Sequence, residues 1–221
     1  TKNAEGIFLH SGNVARGIIS VGDSVNASIN AERRKSIMRN HTAAHLLQAA
    51  LREVLGTHVE QAGQLVNEVE VRFDFTHFNP LSTEEIKKVE FLVNNFILNA
   101  VPVTMTEMPI EEAKKLGAMM LFGEKYGDIV RVVRAGDFST EFCGGTHVSN
   151  SGQIGLFKIV SESSVAAGVK RITAVTGAGL LAYLDVNEAL VKGVSAALKT
   201  GENEVQERVN ALMNELKDKE K

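Results

Sequence analysis

The chain has 221 residues, of which 44% are hydrophobic and 23% are charged, and its formal net charge is −3. This composition supports one sizeable core, argues against a disordered chain, and lacks the strongly basic balance typical of nucleic-acid binders. The single cysteine, Cys143, excludes an internal disulfide and favours a reducing, cytoplasmic compartment. No apolar run approaches the roughly 20 residues of a membrane-spanning helix, so no membrane partner is expected.

The hydrophobic pattern divides the chain into three consecutive ranges. The first contains β-forming runs, and the second mixes helical and β-forming segments. Residues 1–31 contain short β-forming runs between glycines, which predicts the remnant of a small β-barrel-like domain. Residues 32–180 open with apolar residues at helical spacing, and an alternation over residues 69–75 then predicts a half-buried strand. With the segments that follow, this range predicts an α+β fold in which helices form one layer on a mostly antiparallel sheet.

Two local signals mark the ends of predicted helices in the second range. Gly56 follows the first helical segment, where the end of a helix favours glycine. Ser82 and Glu85 form a capping-box signature just before the next apolar helical stripe. The sequence therefore predicts one helix that ends near residue 55 and a second that starts just after Ser82.

The third range, residues 181–221, is helical again. Its two apolar stripes are separated at Thr200–Gly201, which predicts a helical hairpin or the start of a coiled coil. A dimer through these helices is one arrangement that the pattern allows. Because the chain begins with Thr1 and ends within a charged helical pattern, we expect a fragment of a longer protein.

Two short motifs, nearly a hundred residues apart, carry side chains that bind metals. His41 and His45 lie four residues apart in the first predicted helix, so their β-carbons share one face at about 6 Å. Cys143 and His147 have the same spacing in a predicted loop or loop–helix junction, where Gly144 and Gly145 relax the backbone. Each pair alone occurs often by chance. Together, three imidazoles and one thiol predict a tetrahedral zinc site.

The chemistry of such a site has two interpretations. Four protein ligands close the tetrahedron, which is typical of structural zinc, whereas catalysis needs five-coordination or a ligand that dissociates. Thr42 stands where the His-Glu-x-x-His metalloproteases carry their general base, which argues against peptide hydrolysis by that route. Cys143 is also a candidate acid–base group or nucleophile, because a neighbouring metal favours its thiolate.

Both motifs resemble the paired signatures of one enzyme family. Residues 40–47 and 142–148 are similar to those of the alanyl-tRNA synthetase editing domain, which free-standing alanyl-tRNA editing proteins share and to which a threonyl-tRNA synthetase domain is related. Supporting similarity is found in residues 56–59 with Gln61, 71–75, 121–127 and 152–155. The Cys-Gly-Gly-Thr-His form of the second motif looks like the alanyl type.

The resemblance implies a set of site residues and a reaction. It assigns the zinc ligands to His41, His45, Cys143 and His147. Gln61 resembles the family's glutamine near the bound aminoacyl group, where it would orient substrate or water. The implied reaction is hydrolysis of the ester in tRNA(Ala) mischarged with serine or glycine. Aminoacylation is not expected, because the ATP-dependent ligase domain of the parent enzyme is missing from this sequence.

One position departs from the family pattern. The residue just before the second histidine of the first motif is often threonine in the family, and here it is Ala44. The hydroxyl that recognises serine would then come from Thr42, from Thr146 or from a water molecule. We list Thr42 with Cys143 and Gln61 as candidate catalytic residues.

Three other functions compete with this interpretation, and the contacts to tRNA are a further expectation. The competing functions are a non-catalytic, zinc-stabilised tRNA-binding module, a free-standing trans-editing deacylase and a threonyl-type editor. Basic residues expected near the tRNA are Arg33, Arg34, Lys35, Lys170 and Arg171.

Overall fold

The computed structural model describes residues 7–120 and 126–219, and the chain divides into two compact units, Thr1–Asn30 and Ala31–Lys221. Within the first unit, residues 7–30 contain an isolated bridge at Phe8 and no strand. The short strands predicted for this range therefore do not form in its described part. A strand is stable only when its backbone groups hydrogen-bond to a neighbouring strand. In residues 7–30, apolar side chains such as Ile18 instead stay exposed. The functional ranges predicted from sequence, 1–31, 32–180 and 181–221, stay predictions.

The second unit contains five α-helices and seven strands among its described residues. The helices are α1 (Ala31–Leu55), α2 (Thr83–Leu98), α3 (Ile110–Lys115), α4 (Gly177–Leu198) and α5 (Val205–Lys219). The strands are β1 (Gln61–Val66), β2 (Val71–Thr76), β3 (Val103–Pro109), β4 (Ile129–Ala135), β5 (Ser139–Phe142), β6 (Phe157–Ala166) and β7 (Val169–Thr176). The α+β fold class predicted from sequence is confirmed.

The strands form two antiparallel sheets, whereas the sequence predicts one. The larger sheet has the order β1-β2-β7-β6, and the smaller has the order β3-β4-β5. In β2, Val71, Phe73 and Phe75 are fully buried while the residues between them are half-buried, as predicted; Val69, the first residue of the predicted alternation, lies before the strand and is exposed. The boundary between the sheets depends on contacts between distant segments, so it leaves no local signal in the sequence.

Helix α1 crosses the middle of the main core. Its residues Leu46, Leu47 and Leu51 are fully buried and belong to one cluster with Val93 of α2 and Phe73 of β2. The apolar spacing of α1 favours a helix, and burial of that face holds it against α2 and the larger sheet. The candidate ligands His41 and His45 therefore lie on a helix that the core fixes in place.

Both predicted helix-end signals are present. The Ser82 side chain accepts a hydrogen bond from the Glu85 N–H, and Glu85 accepts one from the Ser82 N–H, which confirms the capping box. Gly56 follows α1 with φ = +115°, a conformation that L-residues rarely adopt, and its N–H donates to the Arg52 carbonyl.

The C-terminal helices form the predicted hairpin. Helices α4 and α5 contact each other across a break at Lys199, which has the left-handed conformation. Apolar side chains of α4, such as Leu181 and Leu184, remain exposed, and a dimer through these helices stays a prediction. No helix in the described residues is long and apolar enough to cross a membrane. Residues 121–125, part of one segment of the family resemblance, lie outside the described residues.

Candidate metal centre

The structure brings the four predicted ligands together. One donor atom from each of His41, His45, Cys143 and His147 lies within 4.8 Å of every other. The Cys143 Sγ is 3.4 Å from His41 Nε2 and 3.3 Å from His147 Nε2. Zinc bonds of about 2.0–2.3 Å in a tetrahedron place neighbouring ligand atoms roughly 3.3–3.6 Å apart. The geometry and the donor types therefore both fit a tetrahedral metal ion.

Helix α1 supplies half of the cluster, through the four-residue spacing of its two histidines. The ring centroids of His41 and His45 are 5.3 Å apart, with the rings nearly perpendicular. The His147 ring lies 4.2 Å from the first and 4.6 Å from the second. Three imidazoles this close leave room for one ion that all three can bind.

The other half is a loop that follows β5 and is held by an arginine. The guanidinium of Arg131, on β4, donates hydrogen bonds to the carbonyls of Cys143 (2.9 Å) and Gly145. The Cys143 N–H donates to the Arg131 carbonyl at 3.0 Å. The loop between residues 143 and 147 has no ladder of its own, so these bonds with Arg131 hold its first residues beside β4.

Gly145 is the glycine of this loop that the cluster requires. A Cβ atom at Gly145 would lie 2.1 Å from Cε1 of His41, far inside van der Waals contact. A Cβ atom at Gly144 would have no neighbour within 4 Å. The second glycine of the motif thus makes room for the imidazole, and the first one meets no steric demand.

Burial makes the three imidazoles neutral at pH 7. It is the largest cause that lowers the pKa of His41 to about 4, of His45 to about 3 and of His147 to about 2. The positive charge of Arg131 lowers the pKa of His41 and of His147 further. Neutral imidazoles keep a lone pair free for a metal ion, so the electrostatics favour the same use as the geometry.

Thr42 links the two halves of the site. Its side chain is buried, and its Oγ1 lies 3.0 Å from the Met38 carbonyl, 3.2 Å from His147 Nδ1 and 3.2 Å from the Val148 N–H. One hydroxyl on the helix therefore contacts both a predicted ligand and the backbone next to it. Its suggested part in catalysis or serine recognition stays a prediction.

Glu141 is a site residue that the sequence analysis missed. Its Oε2 lies 3.6 Å from His45 Nδ1, and its Oε1 accepts a hydrogen bond from Ser139 at 2.8 Å. Burial raises the pKa of Glu141 to about 8, and since the pKa of His45 is lowered, the contact is not an ion pair at pH 7. At 3.6 Å the pair is not hydrogen-bonded, and His45 Nδ1 has no hydrogen-bond partner among the described residues. A carboxyl group next to a ligand histidine is the kind of group that supports metal sites. A charged residue in a strand, two positions before Cys143, is the signal that could have identified it.

The remaining predicted site residues lie in different surroundings. Gln61 begins β1 opposite Phe75, is half-buried, and has no hydrogen bond to the four-residue cluster among the described contacts. Ala44 is fully buried in the main core. Thr146 is half-buried, and no described residue is hydrogen-bonded to its hydroxyl.

Four of the five basic residues expected at the tRNA have protein partners: Arg33 bonds Glu68 and Lys35 bonds Glu32 at the surface, and the other two lie in the larger sheet. Lys170 is 4% exposed and donates to Ser164 at 2.7 Å. Arg171 makes two hydrogen bonds of 2.7 Å to the Asp74 carboxylate. Both side chains are thus occupied within the larger sheet, which the local sequence did not indicate.

Comparison with known proteins shows that the chain is similar to tRNA synthetases. Residues 130–173 match the family described as the threonyl and alanyl tRNA synthetase second additional domain. The chain is 50% identical over 216 residues to alanine–tRNA ligase of Acetivibrio thermocellus and 52% identical over 217 residues to that of Fervidobacterium nodosum, in each case over 98% of the chain. It is 49% identical over 220 residues, 100% of the chain, to alanine–tRNA ligase of Pelotomaculum thermopropionicum.

These matches confirm the resemblance recognised in the sequence motifs. The chain spans about a quarter of the length of each curated relative, 24%, 25% and 25% respectively. The family match covers the second motif but not the first, whereas the full-length relatives match across both.

Proposed function

We propose that this chain hydrolyses wrongly charged tRNA at a zinc centre. The proposal rests on the similarity of nearly the whole chain to a segment that makes up about a quarter of each matched alanine–tRNA ligase. The substrates proposed are tRNA(Ala) esterified with serine or with glycine. Hydrolysis adds water across the ester and releases the amino acid and the ribose hydroxyl.

The observation that carries this proposal is the convergence of four donor atoms from two distant motifs within 4.8 Å. His41 and His45 would hold one side of the ion, and Cys143 and His147 would hold the other. When bound there, zinc supplies a Lewis acid that can anchor and polarise an ester. The protein supplies neutral imidazoles, a loop fixed by Arg131, and Gln61 as the group proposed to orient substrate or water.

The need for such a reaction follows from the limits of side-chain recognition. A pocket shaped for alanine cannot strongly exclude the smaller glycine, nor serine, which adds only a hydroxyl. A second site that hydrogen-bonds the serine hydroxyl would spare alanine, which leaves those partners unpaired. Thr146 is the proposed partner, because the residue is half-buried, directly precedes His147 and has no described side-chain hydrogen bond.

The test is a deacylation time course on Ser-, Gly- and Ala-tRNA(Ala), with the 221-residue chain and its Cys143→Ala and Gly144→Ala variants. We expect loss of serine and glycine but not of alanine. We expect Cys143→Ala to be inactive, because it lacks a ligand, and Gly144→Ala to match the parent, because that position has open space. Hydrolysis of all three at one rate would contradict the proposal, and Ser-tRNA(Thr) as an added substrate would detect a threonyl-type editor.

A second candidate function is a zinc-stabilised tRNA-binding module without catalysis. The observation in its favour is that four protein ligands complete a tetrahedron, which is typical of structural zinc. This alternative predicts that Cys143→Ala lowers the melting temperature, while the parent binds tRNA(Ala) and hydrolyses none of the esters.

A further inference from the structure

We propose that Thr42 is a positioning residue that holds His147 in the form that binds the metal, and that it does not contact the substrate. This inference rests on the metal centre of the proposed function. It concerns a hydroxyl that touches α1, the ligand loop and a predicted ligand at once.

The hydrogen bonds of Thr42 use the full capacity of its hydroxyl. A threonine hydroxyl has one proton to donate and two lone pairs to accept. The Val148 N–H can only donate, so it takes one lone pair of Oγ1 at 3.2 Å. The Met38 carbonyl can only accept, so the hydroxyl proton points to it at 3.0 Å. One lone pair of Oγ1 is left for His147.

These hydrogen bonds leave one tautomer for the His147 imidazole, and that tautomer suits metal binding. With the hydroxyl proton on the Met38 carbonyl, His147 Nδ1 must donate its N–H to Oγ1 at 3.2 Å. A neutral imidazole carries one proton, so Nε2 then has a free lone pair, and Nε2 is the atom 3.3 Å from Cys143 Sγ. Thr42 thus selects the tautomer whose lone pair lies inside the cluster.

The position of Thr42 also restricts it to this role. Its side chain is 1% exposed, and all of its hydrogen-bonding capacity is used within the protein. A serine hydroxyl of the substrate would have to displace Val148 or His147 to reach it. The bond to Val148 in addition fixes the backbone that follows the ligand, so one side chain sets both the direction and the tautomer of His147.

The test compares two variants of Thr42 with a buried hydroxyl elsewhere. Thr42→Val keeps the shape but removes the hydroxyl, and Thr42→Ser keeps the hydroxyl. The control is Ser151→Ala, because Ser151 is fully buried, donates to the Phe96 carbonyl and accepts from the Val101 N–H, away from the cluster. The readouts are Zn²⁺ affinity by competition with a chromophoric chelator, the absorption spectrum with Co²⁺, and the ratio of Ser- to Ala-tRNA(Ala) deacylation.

We expect Thr42→Val to lose about 10–100-fold in Zn²⁺ affinity and to change the Co²⁺ spectrum. Thr42→Ser should restore both, and Ser151→Ala should lose stability but keep the affinity. The proposal is overturned if Thr42→Val binds Zn²⁺ like Ser151→Ala, or if it keeps the affinity and loses only the preference for serine. A parent that binds Zn²⁺ but hydrolyses no ester would refute the proposed function alone, whereas a parent that binds no Zn²⁺ would refute both.

Discussion

The two halves of the metal centre share a four-residue spacing but are held by different interactions. On α1, the spacing between His41 and His45 follows from the helical pitch, and the helix is fixed by apolar packing against α2 and the larger sheet. In the loop, hydrogen bonds from Arg131 hold the backbone of Cys143, the small size of Gly145 makes room for a ligand ring, and Thr42 holds His147. The helical half therefore depends on the global stability of the fold, and the loop half depends on a few polar contacts.

This difference separates two quantities, the free energy of unfolding and the metal affinity, which variants of a metal site often lose together. Changes to the apolar core residues of α1 should lower the free energy of unfolding and leave the affinity of the folded protein for metal almost unchanged, whereas Thr42 of the same helix acts on the metal through His147. Changes around the loop should lower the metal affinity more than the stability. The three predictions below test that separation, from the largest expected effect to the smallest.

The largest effect is expected for Leu47→Ala on α1. Leu47 is fully buried in the main core, and truncation of such a side chain costs about 2–5 kcal/mol of unfolding free energy. Urea denaturation of the metal-free chain measures this cost, and chelator competition at low urea measures Zn²⁺ affinity, which should stay near that of the parent. Glu53→Ala, at an exposed position of the same helix, is the control. A large loss of affinity in folded Leu47→Ala would contradict the separation.

The next effect is expected for Gly145→Ala in the loop. The new Cβ would lie 2.1 Å from Cε1 of His41, so the imidazole or the loop must move out of position. We expect a loss of about 100-fold in Zn²⁺ affinity, the upper end for displaced supports of a metal site. Gly144→Ala should bind like the parent, because no atom lies within 4 Å of its added methyl. Equal affinities for the two variants would show that the loop adapts to the clash.

The smallest effect is expected for Arg131→Gln. The glutamine cannot span both loop carbonyls as the guanidinium does, so the loop becomes less ordered while its side chains remain. We expect about a tenfold loss of Zn²⁺ affinity, equivalent to about 1.4 kcal/mol. Arg134→Gln removes an arginine from the same strand whose contacts go to Gly136 and Asp137. If that control lost as much affinity, charge and not loop geometry would explain the effect.

Short-range patterns predicted much of the fold and the ligand set. The period of α1, the alternation in β2 and the capping box of Ser82 and Glu85 are each encoded within a few residues. The two ligand pairs were recognisable for the same reason, since each occupies five residues.

Features that depend on distant contacts were not predictable in this way. Arg131 and Glu141 support the site only because β4 and β5 pair beside it. The β-forming runs of residues 7–30 predicted strands that these residues do not form, because a strand pattern is local whereas strand pairing is not. The glycine that the cluster requires could not be distinguished from its neighbour until the position of the His41 ring was known.

The sequence distance across the centre also has a consequence for synthesis. His41 and Cys143 are 102 residues apart, so the ribosome makes the helical half well before the loop. At about 5–20 residues per second, the two halves are separated by roughly 5–20 s of translation. Any metal ion met during that interval finds only two of the four ligands of the centre, His41 and His45, and is held weakly. The complete centre thus forms only after every strand between the motifs has been made, and its occupancy would report that two segments 102 residues apart have met.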